Sequence, residues 1–77
     1  MAYQLKYTAS KETWGGSVKS GEEFIVDQNT NAPSGRALVT HLKNLGRNVP
    51  AYSELSGGGL DVGSSSKHNE WTIVRLK

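Results

Sequence analysis

The groups in this chain capable of acid–base, nucleophilic or metal chemistry are two histidines, scattered hydroxyls and a few carboxylates, and their spacing assembles none of those reactions. His41 sits in LVTHLKNL and His68 in SSSKHNE, whereas a zinc-type site needs three or four convergent ligands. Ser34 and Thr40, the hydroxyls nearest His41, have no assignable third group to orient a base, and Ser34 is better explained as a helix cap. Glu22 and Glu23 are adjacent, so on a strand they point to opposite faces and do not form an acid/base pair. With no cysteine there is neither a catalytic or zinc-binding thiolate nor a disulfide. No catalytic residue, metal or cofactor is expected, and the chain reads as a non-enzyme.

Two glycine pairs, Gly16/Gly21 and Gly58/Gly63, have the GxxxxG spacing of a phosphate loop. The first is followed by Glu22-Glu23 and the second by Ser64-Ser65, where a phosphate cradle needs Lys and then Ser or Thr opening a helix. No glycines are spaced as GxxG, and no run resembles the aromatic sheet motif of RRM domains.

Charge says more through its placement than through its total. Net charge is +2 with a pI near 9.1, enough for weak attraction to polyanions. Glu12, Glu22, Glu23 and Asp27 crowd the first third, no acid occurs from Gln28 through Ser53, and Arg36, Lys43, Arg47, Arg75 and Lys77 follow. Residues 1–20 hold no apolar run of signal-peptide length, so a cytoplasmic location without a membrane span is expected.

The elements that must position these groups are short. Residues 34–46 carry the helical periodicity: at about 100° per residue, Ala37, Leu38, His41, Leu42 and Leu45 share one face with Val39 at its margin. Arg36, Thr40, Lys43 and Arg47 lie opposite. Ser34 is the expected N-cap, Gly46 the left-handed residue past the last turn, and Pro50 forbids continuation. Residues 2–8 alternate as a strand, 23–27 are a short β-branched and aromatic run that reads as a second, 9–20 read as a loop or small hairpin with Trp14 folding back over the sheet, and 70–76 is the strongest strand signal. Residues 60–62 are expected to be its short partner, across a hairpin loop at 63–69. The expectation is one small α+β domain over residues 1–77, β-β-α-β-β, with a mainly antiparallel sheet, one helix on one face, and flexible points near 57–59 and 63–69.

The last strand is apolar on both sides, Trp71 and Ile73 against Val74 and Leu76, and one helix covers one face. Loops bearing Trp14, Val49, Tyr52 and Leu55, a second copy, or a partner must then close the other. The expected function is therefore a non-enzymatic binding or assembly module making protein–protein contact or a homodimer, with Trp71, Ile73, Tyr3, Tyr7 and Trp14 as interface candidates. The alternative is weak nucleic-acid binding through the basic helix stripe, by Arg36, Lys43 and Arg47 with Arg75.

Overall fold

The computed structural model describes residues 3–52, 55, 57–68 and 70–77. Strand β1 (Tyr3–Ala9) realises the alternation read from the sequence: Leu5, Tyr7 and Ala9 are buried, while Gln4, Lys6 and Thr8 turn to the other face. Strand β2 (Glu23–Gln28) runs antiparallel to it, from Tyr3 opposite Gln28 to Thr8 opposite Glu23, and buries Phe24, Val26 and Gln28. Between them, Thr13 and Val18 form a single bridge around a 3-10 turn at Trp14–Gly16, so this segment is a minimal hairpin. β2 is entered through a bulge. Ala9 donates to the Glu22 carbonyl at 2.8 Å and accepts from Gly21 N–H at 2.9 Å, two residues against one, with Gly21 at φ +85 where a side chain would be strained.

Helix α1 (Gly35–Asn44) begins and ends as its residues demand. Ser34 Oγ accepts from Ala37 N–H at 3.1 Å. At the other end Gly46 adopts φ +83, Gly46 N–H donates to the Lys43 carbonyl and Arg47 N–H to that of Leu42, the paired bonds of a Schellman cap. Its buried side is rotated from the expected stripe: Val39 is buried with Leu38 and Leu42, whereas Leu45 is 54% exposed. The chain beyond the helix explains the rotation. Val39 borders a depression with Ala51 and Tyr52, and Leu45 lies past the last helical residue.

Strand β4 (Trp71–Arg75) pairs antiparallel with β1, and β3 (Ser65–Lys67) with β4, giving the order β2-β1-β4-β3. The partner of β4 is thus residues 65–67, inside the expected hairpin loop, and not residues 60–62. Asp61 accepts from Ser64 N–H, so the chain reverses there, and pairing begins only after Gly63 N–H reaches the Arg75 carbonyl. Two serines and a lysine conceal a strand at a sheet edge, where pairing rather than side-chain preference decides. Residue 69, part of that expected loop, lies outside the described residues.

One side of the sheet holds the whole core. Leu5, Tyr7, Phe24, Val26, Trp71 and Ile73 meet Leu38 and Leu42 of α1, and Val18, Val49 and Leu55 join them. Trp14 caps this cluster, its ring 6.1 Å from Trp71 and 5.3 Å edge-on to Tyr52. The loops expected to close the second face therefore complete the first. The second face is a mixed one: Ile25, Lys6, Val74 and Ser65 form one cross-strand row and Glu23, Thr8, Thr72 and Lys67 the next. Such a face of an antiparallel sheet tolerates water without a second layer.

Candidate functional site

Most of the residues singled out for contact have structural work. Trp71, Ile73 and Tyr7 are each 0% exposed, so none offers surface. Tyr3 is half-buried beneath the Arg75 guanidinium, 4.9 Å from its ring centre, and Trp14 is committed to Tyr52 and Trp71. The aromatic surface expected from the two-sided last strand is therefore corrected to a core, because helix and loops converge on the side that carries those rings.

The basic set divides similarly. Arg47 reaches from the end of α1 to the mouth of β2, where its Nη2 lies 2.8 Å from Glu22 Oε2, its Nη1 donates to the Ser17 carbonyl at 2.7 Å, and its guanidinium sits 5.3 Å from the Phe24 ring centre. The pair holds Glu22 below the usual carboxylate range and Arg47 above its own ordinary value, each through their mutual hydrogen bond first. Arg75 Nη1 donates to the Leu60 carbonyl at 2.8 Å. Arg36 and Lys43 remain exposed and border a depression of about 450 Å³ with Tyr52. The expected stripe thus loses Arg47 and Arg75 to the fold.

His41 is half-buried, edge-on to Phe24 with ring centres 6.3 Å apart. Ser66 Oγ and His68 Nε2 lie 3.1 Å apart on the β3–β4 hairpin, and among the described residues no carboxylate is bonded to the other nitrogen of His68. The contact ties the end of β3 to the turn that leads into β4. Among the described residues no three His, Asp or Glu side chains cluster to hold a metal, and no helix is long and apolar enough to cross a membrane.

The surface that sequence reasoning did not anticipate is the free edge of β2. Ala9 bonds toward β2 and Gln4 toward β4, which sets the phase of β1. Antiparallel ladders alternate, so Phe24, Val26 and Gln28 bond to β1 while Glu23, Ile25 and Asp27 turn N–H and C=O outward. Among the described residues nothing pairs with those outward groups. Ile25 is 50% exposed between the two acids. Lys6 Nζ is 3.7 Å from Glu23, and Asp27 accepts from Gln4 Nε2 at 3.1 Å. Alongside the edge, between β2 and α1, runs a groove of about 730 Å³ walled by Val26, Gln28, Ala37, Thr40, His41 and Asn44. A strand over residues 23–27 was legible from its β-branched and aromatic run, and the structure extends it by Gln28; that this strand stands at the rim was not legible, because strand order depends on where β4 docks. No family model, curated protein or solved structure matches this chain.

Proposed function

We propose that the chain is a non-enzymatic protein-contact module whose working surface is the β2 side of the open sheet, centred on Ile25. One observation carries this reading: a large aliphatic side chain is half exposed on a regular edge strand whose outward backbone groups have no partner among the described residues. Leu45 and Val62, the other large exposed apolar residues among those described, lie at a helix end and in a turn, where isolated exposure needs no explanation. A photo-crosslinking residue in place of Ile25 is expected to give discrete protein adducts in cells that naturally produce the chain, and one in place of Val62, 64% exposed in a turn away from the groove, is not. Adducts at position 62 with none at 25 would overturn the reading.

Nucleic-acid binding is the second reading, favoured by the exposed pair Arg36 and Lys43 beside Tyr52. Two free cations support only weak, salt-sensitive attachment. A low-salt mobility shift abolished by changing both to Gln would establish it; no shift removes it.

A further inference from the structure

The β2 edge has the parts of a strand-addition site, and its charges select what is added. We infer that it accepts an extended segment of a partner protein as a fifth strand, with basic side chains opposite Glu23 and Asp27 and an aliphatic one opposite Ile25. This rests on the reading of the chain as a protein-contact module and adds the mode of contact and the chemistry of the partner.

Three observations converge on it. The two rims of the sheet are unequal: β3 is three residues long, whereas β2 is six residues without glycine, proline or internal bulge. Folded proteins ordinarily blunt an edge of the second kind with a proline, a bulge or charged side chains, lysine above all. Here the outward positions are Glu23, Ile25 and Asp27, so the rim carries only negative charge, which deters an acidic or like-charged strand and leaves the edge open to a basic one. Next, an added strand needs room on the helix side of the sheet for alternate side chains. The groove between β2 and α1 supplies it, with Ala37 and Thr40 leaving space and His41 and Asn44 offering polar atoms.

Finally, the charge pattern argues against a second copy. A two-fold axis through Ile25 is the symmetric register that pairs all three outward residues, and it sets Glu23 against Asp27 of the copy twice. Like charges directly opposite destabilise a pair, whereas lysine or arginine opposite each acid stabilises it. Lys6 and Gln4, which now contact those acids, do so at the surface and are readily shared.

The test uses the full chain labelled with 15N and a capped peptide, Thr-Lys-Val-Val-Val-Lys-Thr, with a twin carrying Glu for each Lys. The lysine peptide is expected to shift the amides of Glu23, Ile25 and Asp27 and slow their hydrogen exchange, and to bind about tenfold tighter than its twin, as two cross-strand charge pairs allow. Charge reversal, Glu23→Lys with Asp27→Lys, should invert that preference without altering the backbone. Ile25→Pro removes an outward N–H that β1 does not use, so a variant that retains its far-ultraviolet spectrum should lose the exchange protection. Absence of any shift at the three amides, or shifts unchanged by charge reversal, overturns the inference. If position 25 nevertheless gives protein adducts in cells, the contact reading survives without strand addition; if peptides bind the edge but no adduct forms, the reverse holds.

Discussion

The hydroxyl of Tyr7 ties together parts of the fold that are far apart in the chain. It donates to Gln28 Oε1 at 2.6 Å and accepts from Ser34 N–H at 3.1 Å, and Gln28 Nε2 in turn donates to the Thr30 and Ala32 carbonyls at 2.7 Å each. One phenol thereby ties β1 to the end of β2, to the following loop and to the start of α1. Tyr7→Phe leaves Gln28 Oε1 and Ser34 N–H unpaired in a buried setting, and should cost about 1.5–3 kcal/mol in urea unfolding with an unchanged slope. Burial raises the Tyr7 pKa against the two hydrogen bonds that lower it. The unfolded phenol therefore loses its proton first, and stability falls as pH rises above the ordinary tyrosine value of about 10. Tyr7→Phe should flatten that alkaline limb. Gly59 gives a second test at this scale: a Cβ there would stand 2.5 Å from Asn31 Oδ1, in the amide whose Nδ2 donates to the Leu60 carbonyl. Gly59→Ala is expected to cost about 1 kcal/mol, and less in an Asn31→Ala background, a coupling a double-mutant cycle would reveal.

The shortest ion pair among the described residues clasps two elements together. Glu22 and Arg47 link the entrance of β2 to the exit of α1, and the carboxylate pKa is lowered chiefly by the Arg47 hydrogen bond. A depressed carboxylate contributes stability that is full above its unfolded value of about 4.3 and is lost as pH falls through the folded value. Glu22→Gln should therefore lower the urea midpoint at pH 7 and make the acid limb shallower, with the two proteins converging at the acid end. Elements were the most legible scale in the sequence. Ser34 and Gly46 cap the helix as their chemistry requires, and Tyr3, Leu5 and Tyr7 alternate with Gln4, Lys6 and Thr8 as a half-buried strand requires. β3 escaped because Ser65, Ser66 and Lys67 have no apolar alternation to read; they are a strand only because β4 is there to pair with.

At the scale of the molecule, a single core on one face of one sheet implies a single cooperative unit. Trp71 is central to that core and Trp14 caps it, so tryptophan fluorescence and far-ultraviolet dichroism should give superimposable urea transitions. A separate early transition in fluorescence alone would mean that the segment bearing Trp14 unfolds independently. Local pattern in the chain was enough for the capped helix, the first two strands and the apolar last strand. These follow from side-chain periodicity and cap chemistry within a few residues. Only the tertiary structure decided which face received the loops, turning Trp71 and Ile73 from candidate surface into core, and which strand was left at the rim, turning Glu23, Ile25 and Asp27 into the open edge. Those outcomes depend on pairings between residues far apart in the chain, such as Tyr7 with Ile73, and no local pattern encodes a partner that distant.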